Sequence, residues 1–220
     1  IPMPRMSIRS FRYRRPKNPN WDLEIEERIK LDAEERPGRW DLAELFGREA
    51  PVEVEIGFGK GRFIIAAAEK HPDRNWLGIE YVKGCILLTA ERSAKRDLEN
   101  VRIVQGAAEE IIAERIGDAA IHAYHIYFPD PWPKKRHHKR RLIKPPFVAE
   151  LRRTLEPGGE LHVATDYTEY FEEMVPIIRK AGFELAEMPD DVEDEAFRTN
   201  FEEKALDRGE TIHRARFRVS

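Results

Sequence analysis

The chain has 220 residues, 41% hydrophobic and 36% charged, with a formal net charge of −3. That length holds one full core with appendages and leaves little room for a second domain, and the longest apolar runs, such as residues 63–68, fall far short of the ~18 residues a membrane span needs. A single cysteine, Cys85, excludes an internal disulfide and suits a reducing, cytoplasmic setting.

Residues 1–20 hold four prolines and carry Arg5, Arg9, Arg12, Arg14, Arg15 and Lys17 with no acid. They lack apolar periodicity, so they predict a flexible basic arm that orders on a partner, and no apolar run in them reads as a secretory signal. Residues 21–220 are expected to form one domain. Within it, 21–47 read as one or two short helices ending near Gly47. Strand and helix then alternate: strand 52–56, helix 62–70, strand 75–80, helix 82–97, strand 101–105, helix 109–116 and strand 121–128. A basic loop follows, then a helix opened by Pro145 and Pro146, a turn at Pro157-Gly158-Gly159, strand 160–165, helix 168–180 and strand 183–188. Residues 211–219 alternate charged and other residues and predict a last, edge strand. Residues 184–195 are strongly acidic. Such alternation predicts a mostly parallel sheet with helices on both faces and right-handed crossovers.

In a sheet of that kind ligands bind where the strands end, and the unusual polar residues sit there. Gly57, Gly59 and Gly61 follow the first core strand and let the backbone turn tightly beside a ligand. Their spacing matches neither a dinucleotide fingerprint nor a Walker loop. Glu55, just before them, would repel a pyrophosphate and instead suits a cationic ligand such as S-adenosylmethionine. Glu80 ends the next strand, where an acid accepts ribose hydroxyls. Asp130 and Asp166 follow two later strands. Asp130 is set among Pro129, Pro131 and Pro133, which bias the loop toward extended backbone. The run from Lys134 to Arg141 that follows it has no acid. Two basic segments interleaved with Phe11, Tyr13 and Trp132 point to a nucleic acid, although either run alone reads more simply as a solvated face. His122 and His125 are three apart on a strand and face opposite sides, and no other ligand cluster is visible, so no metal is expected.

Together, residues 52–61, residues 128–141, Ala164-Thr165-Asp166-Tyr167 and Arg198-Thr199-Asn200-Phe201-Glu202 resemble the bacterial tRNA (guanine-N7-)-methyltransferase family over about residues 50–218. The P-D-P-W-x-K-x-R-H-x-K-R-R run and the T-x-F-E motif are specific to it, whereas the glycine loop is shared widely. The resemblance implies the class I methyltransferase fold, a Rossmann-like α/β architecture with a seven-stranded, mostly parallel sheet. It also implies S-adenosyl-L-methionine as cofactor and tRNA as substrate, usually methylated at guanosine 46 of the variable loop.

Carried over by motif, Glu55, Gly57, Gly59, Glu80, Ala107 and Asp130 become cofactor positions, with Asp130 also the catalytic acid. Ala107 departs from the family, many of whose members have an acid or amide there. Lys134, Asp166, Thr199, Asn200, Phe201 and Glu202 become substrate contacts, and Arg136, His137, His138, Lys139, Arg140 and Arg141 become RNA contacts. A cytoplasmic monomer or homodimer is expected. The alternatives are a methyltransferase acting on another RNA or on a small molecule, a non-catalytic RNA-binding module on the same fold and, more distantly, a nicotinamide enzyme.

Overall fold

The computed structural model describes residues 11–17, 19–189 and 195–220. Residues 1–10 and Asn18 of the basic arm, and residues 190–194 of the acidic stretch, lie outside the described residues.

In chain order the elements are α1 (Leu23–Ile29), β1 (Lys30–Leu31), α2 (Leu42–Phe46), β2 (Val52–Ile56), α3 (Arg62–Lys70), β3 (Asn75–Glu80), α4 (Lys83–Ala94) and β4 (Val101–Gln105). There follow α5 (Ala108–Arg115), β5 (Ile121–Tyr127), α6 (Pro145–Thr154), β6 (Leu155–Thr165), α7 (Thr168–Lys180), β7 (Phe183–Glu187), α8 (Asn200–Asp207) and β8 (His213–Val219). The strands form one sheet in the order β1-β4-β3-β2-β5-β6-β8-β7. Strands β1 to β6 pair in parallel, and β8 runs antiparallel to both its neighbours. Seven of these strands match the expected architecture; the eighth is the two-residue β1, which extends the sheet beyond β4.

The expected edge position of the last strand is corrected here. β8 lies inside the sheet, between β6 and β7. Its sequence alternates Arg214, Arg216 and Arg218 with Ala215, Phe217 and Val219, a pattern that resembles a half-solvated edge. The arginines are instead matched across strands and to α8: Arg218 to Glu160 at 2.7 Å, Arg216 to Glu187 at 2.6 Å and Arg214 to Glu202. Cross-strand pairing of opposite charges lets a polar face sit within a sheet. Pro157-Gly158-Gly159, expected as a turn between elements, is a bulge within β6, where the register jumps from Ile121↔Leu155 to Ala123↔Glu160.

Local chemistry sets the helix ends. The Asp22 carboxylate accepts from the backbone N–H groups of Glu24 and Ile25 to cap α1, Asp41 caps α2, and Pro145 and Pro146 occupy the first turn of α6, where N–H groups have no intrahelical partner. The two faces of the sheet carry separate cores. Val52, Val54 and Ile56 of β2 point to the side that packs on α5, α6 and α7, with Ile112, Leu151 and Met174. The opposite face packs Phe63, Trp76, Ile86 and Ile103 among α1, α3 and α4. Each fully buried aliphatic side chain contributes about 1.5–3 kcal/mol, so these cores hold the strand ends in place. Among the described residues no helix is long and apolar enough to cross a membrane.

Candidate active site and basic ledge

Strand order reverses at β2, whose neighbours are β3 and β5, and the crevice at such a point opens at the carboxyl ends of the strands. The glycine loop leaves β2 there. Gly57 has φ +75 and a Cβ placed on it would meet nothing within 4 Å, so the backbone here faces open space. Gly61 is required for a different reason: its φ is +70 and a Cβ would fall 2.4 Å from Thr89, which locks the start of α3 onto α4.

The two acids expected at this crevice are brought together. Glu55 is 3% exposed and accepts from the backbone N–H of Ile64 at 3.1 Å. Burial, reinforced by the charge of nearby Glu80, pushes the Glu55 carboxyl up to about 8. Glu80 holds the loop and the next helix in position. One oxygen accepts from Gly59 N–H at 2.9 Å, and the other from Tyr81 and Val82 N–H at 2.8 and 3.0 Å. Ala107 is the residue before α5, adjoining the end of β4, and its methyl offers no hydrogen bond, so only its backbone groups can bind a ligand.

On the other side of β2, the loop after β5 carries Asp130, which is exposed. The flanking Phe128 and Trp132 have positive φ, 52 and 45, uncommon for bulky residues and of a kind that clusters at functional sites. Phe128 N–H donates to the Ala164 carbonyl at 2.7 Å, tying the loop to β6. The basic run forms a 3-10 turn over Lys135–Arg140. Lys134, Arg136, Lys139 and Arg140 are exposed, with Arg140 4.9 Å above the Trp132 ring, while His137 and His138 are half-buried. Partial burial, then the cations Arg140 and Arg136, hold His137 below its ordinary value.

Arg141 does not belong to this ledge, and its expected RNA contact is withdrawn. It is 1% exposed; its Nε donates to the Pro131 carbonyl at 2.9 Å, and its guanidinium reaches Glu169 at 3.1 Å and also Glu173. It lies 4.8 Å over the Tyr170 ring. Arg141 anchors the loop from within.

Thr199 is the N-cap of α8, and Asn200, Phe201 and Glu202 form its first turn. Thr199 and Glu202 form a reciprocal capping box, and Glu202, 3% exposed, also pairs with Arg214. Both side chains hold the start of α8, and the Thr199 hydroxyl keeps its O–H free to donate. The T-x-x-E spacing is itself a helix-start signal, legible without the structure. Phe201 packs with Phe128, Ala164 and Ala205, which brings α8 beside the Asp130 loop. Asn200 is half-buried on the same turn, and Asp166 at the end of β6 lies 3.8 Å from Arg208. His122 meets Glu156 at 2.6 Å, whereas His125 meets Glu53 at 2.6 Å. Among the described residues no group of three or more His, Cys, Asp or Glu is arranged to hold a metal. A cleft of about 530 Å³ opens on the sheet face and includes Glu53, Arg74, His125, Tyr127, His162 and Glu202 in its walls.

Comparison with known proteins bears on this arrangement. A family model described as "Putative methyltransferase" matches residues 49–215. The tRNA (guanine-N(7)-)-methyltransferase of Bordetella pertussis is 38% identical over 222 residues, covering 93% of this chain and 82% of that protein. The tRNA (guanine-N(7)-)-methyltransferase of Alkalilimnicola ehrlichii is 46% identical over 141 residues, covering 63% of this chain and only 58% of its own length. Among solved structures, the 16S rRNA methyltransferase KamB matches with a TM-score of 0.63 at 16% identity, over 83% of this chain and 94% of that one, a likeness of fold. The fold, the motif-bearing loops and the identity across nearly the whole chain agree: the protein belongs to the tRNA (guanine-N(7)-)-methyltransferase family.

Proposed function

We propose that this chain transfers a methyl group from S-adenosyl-L-methionine to N7 of guanosine in tRNA, at position 46 of the variable loop, in the cytoplasm. Residues 21–220 act as the catalytic domain and residues 1–20 as a basic arm. One observation carries the reading: a buried acid, Glu55, gathered with Glu80 at a glycine loop, sits one strand away from an exposed cationic ledge, in a chain of this family.

The residues present fit the cofactor. The backbone at Gly57 faces open space, and the donor set is anionic, suited to an ammonium, a sulfonium and ribose hydroxyls and unsuited to a phosphate. Bound there, S-adenosyl-L-methionine supplies an electrophilic methyl group. Glu55 would take the cationic end and give up the proton its burial retains. Glu80, with its second oxygen accepting from Gly59 alone, has one acceptor position left for a ribose hydroxyl, and the backbone at Ala107 borders the base.

Guanine N7 has a lone pair and no proton to lose, so no strong general base is required and positioning carries most of the catalysis. Positive charge appears on the imidazole ring of guanine during transfer, and the Asp130 carboxylate stabilises it electrostatically. Asp166, with Asn200 and Phe201 on α8, would read the N1–H and exocyclic amine that distinguish guanine from adenine. Lys134, Arg136, His137, His138, Lys139 and Arg140 hold the RNA backbone. The target base must leave its stack to reach the crevice.

Incubation with unmodified tRNA and labelled cofactor, followed by borohydride and aniline cleavage, tests the whole reading. Strand scission at one variable-loop guanosine is the expected result. Scission elsewhere reassigns the substrate, and absence of label in RNA overturns the activity.

A further inference from the structure

A buried polar chain runs beneath the Asp130 loop, and the direction of each hydrogen bond in it can be assigned. Glu53 on β2 and His125 on β5 are 2% and 5% exposed. His125 Nε2 lies 2.6 Å from one Glu53 oxygen, Nδ1 lies 2.9 Å from the Tyr127 hydroxyl, and Arg74 donates to the other Glu53 oxygen. Burial lowers the His125 pKa, so the ring is neutral and carries a single N–H. For Glu53 burial works the other way, but hydrogen bonds from His125 and Arg74 and the charge of Arg74 hold the carboxyl below its ordinary range, so it accepts only. The His125 proton therefore sits on Nε2, and the Tyr127 hydroxyl donates to Nδ1. His162 stacks on His125 at 4.8 Å.

Tyr127 is the last residue of β5, directly before Phe128-Pro129-Asp130. Its ring meets Phe63 edge-on at 4.9 Å, and Phe63 belongs to the first turn of α3, next to the Ile64 N–H that holds Glu55. Tyr127 is thus wedged between the cofactor side and the acceptor side of the site. We infer that His125 is a positioning residue for methyl transfer: by pinning the Tyr127 hydroxyl it fixes the end of β5, and with it the separation between the glycine loop and Asp130. This rests on the reaction proposed above. In-line transfer is sensitive to misplacement of ~1 Å, so a loosened strand end is felt in turnover more than in cofactor binding.

Three variants of the full chain test it. Tyr127→Phe removes one hydroxyl and keeps the ring on Phe63, His125→Leu removes both ring nitrogens, and His125→Gln keeps a donor and an acceptor. Two quantities are read: hydrogen exchange at the Phe128 amide in the free protein, and methyl transfer to unmodified tRNA with the cofactor Kd measured separately. For Tyr127→Phe and His125→Leu, Phe128 exchange should accelerate about tenfold or more and kcat should fall about tenfold to a hundredfold, with cofactor Kd moving less than about threefold. His125→Gln should recover most of both. Unchanged Phe128 exchange in folded Tyr127→Phe overturns the inference, as does a turnover loss that merely follows a lowered Tm. If His125→Leu does not fold, Tyr127→Phe decides alone. A wild type that methylates no tRNA overturns the reaction instead, while the exchange measurement still decides whether the relay holds the loop.

Discussion

On the glycine-loop side the acids are buried and held by backbone amides, Glu55 by Ile64 and Glu80 by Gly59, Tyr81 and Val82, whereas on the loop after β5 the lysines and arginines from Lys134 to Arg140 are exposed and Arg141 turns inward. The difference is one of dielectric. Buried charges respond to a ligand's charge and to pH, because desolvation magnifies every interaction they make. Exposed charges respond to salt, because water and counterions screen them. One side is therefore suited to selecting a small cation and the other to holding a large polyanion.

The sharpest test of that division is Asp130→Ala, which removes the acid carried by the loop after β5. It should lower kcat/KM about a hundredfold to a thousandfold, or about 3–4 kcal/mol, while much of the cofactor affinity survives. Unchanged turnover would take Asp130 out of the chemistry. Arg141→Ala should act on folding, since it removes the hydrogen bonds to Pro131, Glu169 and Glu173 and the contact with Tyr170. Because Glu169 and Glu173 are partly solvated, a loss of about 2–3 kcal/mol is expected in urea denaturation, with tRNA affinity of the folded fraction nearly unchanged. A weaker tRNA complex with intact stability would return Arg141 to the ledge.

A pH titration of cofactor affinity probes the buried side. Glu55 keeps its proton up to about 8 in the free protein, and a bound cation favours the carboxylate, so binding releases a proton. Affinity should rise about tenfold between about pH 7 and 9 and then level off, and Glu55→Gln should flatten the rise. The same shift makes the free protein lose stability as pH climbs from 4.5 toward about 8, because over that window the folded state binds the proton that the unfolded state has released. On the exposed side, Arg136→Ala with Arg140→Ala should weaken tRNA binding up to about tenfold and reduce the salt slope by about 1.5. An unchanged slope would mean that the ledge is only a solvated surface. The smallest effect is expected at α8: Thr199→Ala should cost about 1 kcal/mol through loss of its cap, read by denaturation.

Much of this was legible along the chain. The strands ending in Glu55 and Glu80, the glycine loop between them and the helices 62–70, 145–154 and 168–180 are local signals, carried by periodicity, glycine and proline. What could not be read depends on partners far away in sequence. Arg140 and Arg141 are adjacent and chemically identical, yet one lies on the Trp132 ring at the surface and the other is buried. The choice is made by Glu169 and Glu173 on α7, some thirty positions on, which receive the inner guanidinium.

Residues 52–80 and 128–134 by themselves determined the class of ligand crevice and the place of its acids, because turn geometry and strand ends follow from neighbouring residues. Tertiary structure alone decided that β8 is threaded between β6 and β7, that Glu202 serves Arg214, and that His125 bridges Glu53 to Tyr127. Each of these is a contact whose free energy exists only after distant segments have met, and no local pattern encodes which of several equivalent charges will find the partner.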